Sequence, residues 1–185
     1  LWWCPDPRVV FDTAGFRLAS RLRRRLRGSG WQVRADTDFE GVMRACAKAP
    51  RPGQDGTWIG PSMLAAYVDL HRLGHAHSVE VYAGERLVGG IYGVAIGRMF
   101  FGESMFSGES GGSKAALAGL ALRLAGWGWP LLDAQVENPH LMSLGARLLP
   151  RPDFLEQVAG LAAEPGRIGP WTAAFGRLEA AELAF

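Results

Sequence analysis

The chain has 185 residues, 48% of them hydrophobic and 21% charged, with a formal net charge of +2. Those totals are those of a soluble globular protein with one domain and a sizeable core. No apolar run reaches the 18 or more residues that argue for a membrane span.

The opening, Leu1-Trp2-Trp3-Cys4-Pro5, has neither a methionine nor a signal-peptide layout, and reads as a chain entered in mid-domain. Val9, Val10 and Phe11 predict a short strand. With only Cys4 and Cys46 there is no disulfide framework, so a reduced, cytosolic protein is expected. Charge is unevenly spread. Arg17, Arg21, Arg23, Arg24, Arg25, Arg27 and Arg34 fall in a stretch with no acidic residue between Asp12 and Asp36. The preference for arginine reflects a GC-rich genome as much as function, but composition bias does not gather charges. Phe16 to Arg27 predicts a helix with Leu18, Leu22 and Leu26 on its buried stripe. Its basic face is either a solvated surface or a grip on a polyanion, and the missing carboxylates favour the grip.

Asp38 is expected to cap a helix from Phe39 to Lys48, and a loop from Pro50 to Gly56 follows. Thr57-Trp58-Ile59 leads into a helix from Pro61 to Leu73, with proline at its first turn and Gly74 as its stop. His71, His75 and His77 suggest a metal site, yet Gly74 separates them, no carboxylate follows His71, and no cysteine is near; no metal is expected. His75 and His77 are expected to hydrogen-bond backbone groups instead. Ser78 to Val81, Arg86 to Val94 and Arg98 to Phe106 read as a three-stranded meander, turning first at Gly84-Glu85.

Gly108-Glu109-Ser110-Gly111-Gly112-Ser113-Lys114 follows, then an Ala/Leu-rich helix to Ala125. The turn nearly spells a nucleotide-binding P-loop, but Ser113 stands for its second glycine and Ala115 for its metal-binding hydroxyl. ATP or GTP chemistry is not expected. Bare backbone N–H groups at such a helix start suit an anionic oxygen. Leu117, Leu120 and Leu124 share one face of that helix, as core or as the wall of an apolar pocket. Trp58, Tyr67, Phe100 and Phe106 read mostly as core, although a tryptophan beside a loop can stack on a base.

Leu131 to Val136 reads as a buried strand. Asp133 and Gln135 stand two apart on it and so are expected on one face, where polar groups are either partnered or used. Asn138 is a good N-cap for a helix with Pro139 first and reaching about Arg147. Glu103, at the end of an aromatic strand, is either buried with a partner or turned to a cleft. Asp153 to Ala163 predicts one more helix, and Glu164 to Phe185 carries mixed signals. Helices, an antiparallel meander, a helix, then a strand and a helix is the order of an acetyltransferase-like (GNAT-like) α+β fold, a mostly antiparallel sheet flanked by helices. In that fold the sheet splays where the post-strand helix begins and holds an acyl donor, which the fold does not name.

Several of these stretches together closely resemble one family. They are Thr57-Trp58-Ile59, Leu70-His71-Arg72-Leu73-Gly74-His75-Ala76-His77-Ser78-Val79-Glu80-Val81 and Leu87-Val88-Gly89-Gly90-Ile91-Tyr92-Gly93-Val94-Ala95. Phe101-Gly102-Glu103-Ser104-Met105-Phe106-Ser107, Ser113-Lys114, Asp133-Ala134-Gln135-Val136 and His140 with Ser143-Leu144-Gly145-Ala146 continue the match, and the opening Leu1 to Arg8 fits it. From residue 1 to about Phe154 the chain resembles leucyl/phenylalanyl-tRNA–protein transferase. The resemblance implies a cytoplasmic aminoacyltransferase that moves Leu, Phe or sometimes Met from aminoacyl-tRNA onto proteins beginning with Arg or Lys, marking them for degradation by the N-end rule. It implies no cofactor, no metal, no membrane and a monomer. It also implies that residues 1–185 are one acyltransferase-like catalytic domain, without the small N-terminal domain that the family carries.

By position, the resemblance assigns Trp58 to the 3′-terminal adenosine and Ile91, Met105, Leu117, Leu120, Leu124 and Leu132 to the amino-acid side-chain pocket. Arg21, Arg23, Arg24 and Arg27 fall to the tRNA acceptor stem, Glu103 to the acceptor peptide, and Asp133, Gln135 and Asn138 to catalysis. In that reading the Gln135 amide donates to Asp133 and accepts from the attacking amine, while Asn138 fixes Gln135. Two alternatives are an acetyl-CoA-dependent acetyltransferase, against which the turn before Ser113 lacks the usual pyrophosphate pattern, and a non-catalytic tRNA-binding module.

Overall fold

The computed structural model describes residues 4–50 and 56–184, so Leu1 to Trp3 and the loop residues Arg51 to Asp55 of the readings above lie outside the described residues. In chain order the elements are β1 (Arg8–Asp12), α1 (Ser20–Leu26), β2 (Trp31–Ala35), α2 (Phe39–Lys48), α3 (Pro61–Arg72), β3 (Ala76–Ala83), β4 (Arg86–Ile96) and β5 (Met99–Ser107). Then come α4 (Gly112–Gly126), β6 (Leu131–Gln135), α5 (Pro139–Ser143), β7 (Arg147–Leu149), α6 (Arg151–Ala163), α7 (Thr172–Phe175), β8 (Leu178–Glu179) and a 3-10 turn at Ala180–Leu183.

The strands form one eight-stranded sheet in the order β7-β1-β6-β5-β4-β3-β2-β8. Every neighbouring pair is antiparallel except β5 and β6. The result is a mixed α+β architecture with helices on both faces. Residues alternate between faces along a strand, so Ile91 joins the large cluster under α4 while Tyr92 joins the cluster beneath α2. A third cluster, with Val10, Met99, Leu131 and Phe154, lies under α6.

Local chemistry explains the ends of these elements. Asp38 Oδ1 accepts the Gly41 N–H at 3.0 Å and starts α2, as its position before Phe39 predicts. Pro61 opens α3 and Gly74, at φ +80°, lets the chain leave it. α4 is apolar nearly all round because sheet and tail both cover it, and Ala115, Leu120, Ala121 and Leu124 are each at most 1% exposed. Its start needs glycine. A Cβ on Gly112 would lie 2.2 Å from the Val88 carbonyl and 2.9 Å from Gly89 Cα, so α4 can settle over β4 only where both residues lack side chains.

Three elements depart from the sequence reading. α1 begins at Ser20, since Phe16 and Leu18 are buried from a loop, Phe16 edge-on to Phe11 at 5.5 Å. α5 ends at Ser143, because Gly145 takes φ +91° and Arg147–Leu149 pairs with β1 as a strand instead. β2 was concealed among arginines, although Trp31, Val33 and Ala35 alternate buried with Gln32 and Arg34.

Candidate functional site

The β5–β6 ladder pairs Met99 with Leu131, Phe100 with Leu132 and Phe101 with Asp133, and goes no further. Beyond that point each strand carries a bulge. On β5 the register against β4 passes from Tyr92↔Ser104 to Gly93↔Gly102, leaving Glu103 as the extra residue. On β6 the register against β1 passes from Val10↔Asp133 to Val9↔Gln135, leaving Ala134 as the extra residue, and Gln135 adopts φ +67°. The first bulge reverses the face alternation, so Phe100 and Met105 both belong to the α4 side.

Where the strands part, a cleft of about 660 Å³ opens. Ile91, Met105, Leu117 and Leu132 give its apolar wall; Glu103, Gln135, Asn138 and His140 line its polar part; Trp58 stands at its rim, 44% exposed. The expectation that Trp58 is core is therefore corrected: the loop before α3 holds it outside, edge-on to Tyr67 at 6.5 Å. Leu120 and Leu124 are placed apart from Leu117. They lie further along α4 than the cleft reaches, are fully buried in the core cluster, and are absent from the cleft wall.

Asp133 is fully buried at the end of the ladder. Its carboxylate takes a two-pronged salt bridge from Arg8, Nε to Oδ1 at 2.9 Å and Nη2 to Oδ2 at 2.7 Å, and Oδ1 also accepts the Gln135 backbone N–H at 2.9 Å. That last bond holds the bulge. The Arg8–Asp133 bonds also hold the Arg8 charge above its ordinary range, against the opposing pull of burial. The Gln135 amide nitrogen donates to the Gly102 carbonyl across the split and lies 3.5 Å from Glu103 Oε2. Gln135 therefore does not donate its side-chain amide to Asp133, because the bulge breaks the two-residue alternation on which that expectation rested. Asn138 does not fix Gln135 by this geometry either; its Oδ1 accepts the Leu141 N–H at 2.9 Å and caps α5.

Burial raises the Glu103 carboxyl above the usual range, and the nearby Asp133 charge adds to the effect; hydrogen bonds from Tyr67 and Gln135 oppose it. Burial, with Glu103 beside it, also pushes the Tyr67 hydroxyl up. His140 is held below its ordinary value by burial first and by the charge of Lys114 second.

Two of the three histidines, His71 of α3 and His77 of β3, face the same Asp36 carboxylate, Nδ1 to oxygen at 3.9 and 2.9 Å. His71 Nδ1 lies 2.8 Å from the Ala76 carbonyl, whereas His77 Nδ1 lies 2.9 Å from the Asp36 carboxylate, not from a backbone group, and its ring stacks on Trp171 at 3.8 Å. Among the described residues no cluster of three potential metal ligands exists. Of the bare N–H groups expected before α4, two are occupied: Gly112 N donates to the Glu109 carbonyl and Ser113 N to Ser107 Oγ.

The arginine stretch is compensated through space rather than along the chain. Arg25 reaches the Ser110 carbonyl at 2.6 Å and Glu109 at 3.7 Å. Arg27 donates to the Ala184 carbonyl, and Arg23, half-buried, donates to Ser20 Oγ. Arg21 and Arg24 remain exposed and line a separate groove with Lys114. Sequence reasoning assigned no role to Arg8 or Tyr67 in the site, and Arg8 lies 125 residues from its partner. The one available sign was the position of Arg8 at the head of an apolar strand.

The leucyl/phenylalanyl-tRNA protein transferase family model matches residues 10–159. The chain belongs to that family. It is 68% identical over 183 residues to the leucyl/phenylalanyl-tRNA–protein transferase of Xanthomonas euvesicatoria, covering 99% of this chain and 73% of that protein. To the transferase of Xylella fastidiosa it is 58% identical over 176 residues, covering 95% and 72%. A solved structure of a protein of unknown function from Staphylococcus epidermidis is 11% identical, covers 78% of this chain and 57% of its own, and superposes with a TM-score of 0.49, too slight a likeness to carry an argument.

Proposed function

We propose that the protein is an aminoacyltransferase that moves Leu or Phe, and also Met, from aminoacyl-tRNA to proteins with N-terminal Arg or Lys, in N-end-rule degradation, as a cytoplasmic monomer. Residues 1–185 act as one acyltransferase-like domain, and the split sheet is the GNAT-like device for seating an acyl donor. The observation that carries the reading is the pair of facing bulges, which sets Glu103 and Gln135 at the mouth of an apolar cleft.

The aminoacyl ester is already activated, so most of the work is to align ester and amine and to handle a proton. The terminal adenosine stacks on Trp58, and the amino-acid side chain enters between Ile91, Met105, Leu117 and Leu132. Glu103 receives the positive N-terminus of the acceptor. Its raised proton affinity suits it to take a proton from the α-ammonium. The freed amine attacks the ester carbonyl, the new C–N bond forms, the ester C–O bond breaks, and the 3′-oxygen leaves with a proton. Gln135 cannot titrate, but its amide oxygen can accept from the amine. Asp133, closed off by Arg8, holds the bulge that aims Gln135. Arg21, Arg23, Arg24 and Arg27 supply charge toward the acceptor stem. An acetyl-CoA reading is disfavoured because two of the N–H groups that would meet a pyrophosphate, those of Gly112 and Ser113, are occupied.

Single-turnover transfer from Phe-tRNA to an Arg-initiated peptide tests the proposal. Formation of Phe-Arg-peptide is expected, with none from a peptide that begins with Asp. Binding of Phe-tRNA without product would leave a tRNA-binding module, and acetylation of the peptide from acetyl-CoA would establish the other chemistry.

A further inference from the structure

Lys114 is one of two lysines in a chain that otherwise carries its positive charge on arginine. It lies in the first turn of α4, half-buried, and its ammonium forms no hydrogen bond or ion pair among the described residues. Beside it runs a groove of about 640 Å³, with Arg21, Arg24 and Arg25 on one side and Ser110, Gly111 and Lys114 on the other. Arg25 is taken up by Glu109 and the Ser110 carbonyl. Arg21, Arg24 and Lys114 are left as three cations around one groove, without a carboxylate partner among the described residues.

Lys114 is also where this groove meets the cleft. Side chains three apart on a helix share a face, and Leu117, one turn further along α4, is in the cleft wall. His140, in the same wall, is close enough to Lys114 to feel its charge. A strand leaving the cleft past Lys114 therefore enters a basic groove with room for single-stranded nucleotides.

We propose that Lys114 binds the phosphodiester that precedes the terminal nucleoside of the donor, and that the groove beneath Arg21 and Arg24 is the path of the single-stranded 3′ end. The inference rests on the aminoacyl-tRNA reading above. A flexible ammonium meets phosphate as a point charge and needs no fixed fork geometry, which suits a backbone that must slide to seat side chains of different size. The contact is assigned to the side chain rather than to the helix end, where the Gly112 and Ser113 N–H groups are spent within the protein.

The experiment compares two small donors with an Arg-initiated peptide as acceptor: phenylalanyl-adenosine, which has no phosphate, and phenylalanyl-CpCpA, which has two phosphodiesters. The wild-type protein is expected to prefer the second in kcat/KM by about tenfold or more, the size of a hydrogen bond between charged groups. Lys114→Ala should bring the ratio between donors toward one, and Lys114→Arg should restore most of it. An unchanged ratio in Lys114→Ala overturns the proposal. So does an equal loss on both donors, which would mark a structural role. Wild-type protein that transfers from neither donor overturns the transferase reading instead. In that case the affinity for uncharged CpCpA against adenosine, measured by titration, still decides: Lys114→Ala must lose the difference.

Discussion

At the scale of single residues, the proton is the deciding matter in the proposed reaction, and Glu103 is the group proposed to manage it. Asp133 spends its carboxylate on Arg8 and on the Gln135 backbone, and Gln135 has no proton to give up or accept at neutral pH. Glu103 stands at the cleft with its proton affinity raised, chiefly by burial. A carboxyl whose folded value is raised favours the neutral form in the fold. Its contribution to stability is therefore present below the ordinary glutamate value and is lost as pH rises through the raised one. Activity runs the other way, since the ionised form is needed to receive the ammonium. The kcat/KM profile should rise with pH through a limb above the usual glutamate range. Glu103→Gln should remove that limb, lower the plateau by about 100-fold, in the range for loss of an acid–base group, and weaken the fall of Tm with rising pH. Glu80, buried and raised for the same first reason, keeps part of that fall. An acid limb that survives in Glu103→Gln would assign the proton elsewhere.

At the scale of elements, α4 separates two jobs that its sequence presents as one. Leu117, Leu120 and Leu124 share a helical stripe, and spacing alone cannot say how far along it a cavity extends. The cleft depth is fixed by where the β5–β6 ladder ends, at Phe101 and Asp133, and it reaches Leu117 only. Leu117→Phe should narrow the donor pocket and lower the ratio of Phe to Leu transfer by about tenfold, within the range for a change of this size in an apolar pocket. Leu120→Ala should leave that ratio unchanged and cost about 2–5 kcal/mol of stability as a core deletion. Single-turnover rates with the two donors and a urea unfolding midpoint check the pair of variants. A changed ratio in Leu120→Ala would return that residue to the pocket. The same limit explains what could be read beforehand. α2, α3, α4, α6 and the meander were legible because caps and periodicity are local; the bulges at Glu103 and Ala134 were not, because a bulge exists only against a partner strand.

For the molecule as a whole, the segment after α6 was illegible for a related reason and turns out to close the fold. Its elements, Thr172–Phe175, Leu178–Glu179 and Ala180–Leu183, are too short to show a period, yet Trp171, Phe175, Leu178 and Leu183 are all buried in the main cluster. Trp171 is the hinge pin of that packing. Its ring stacks on His77 and lies 5.8 Å from Phe100, its indole N–H donates to the Arg167 carbonyl at 3.1 Å, and its backbone N–H donates to Asp36 Oδ2 at 2.7 Å. Asp36 in turn accepts the Ser78 N–H at 3.0 Å and meets His77, so one buried carboxylate ties the tail to the head of β3. None of these groups reaches the cleft, and Phe100 supports the split strand from one residue before the ladder ends. Trp171→Ala should therefore cost about 3–5 kcal/mol, the usual range for a deleted core aromatic. At temperatures below the lowered transition, kcat/KM should change little, about twofold at most, because Glu103, Gln135 and the apolar wall are positioned by β5, β6 and α4. Urea unfolding and single-turnover transfer measured on the same preparation separate the two effects. A variant with near-wild-type stability and lost transfer would mean that the tail shapes the cleft rather than the core.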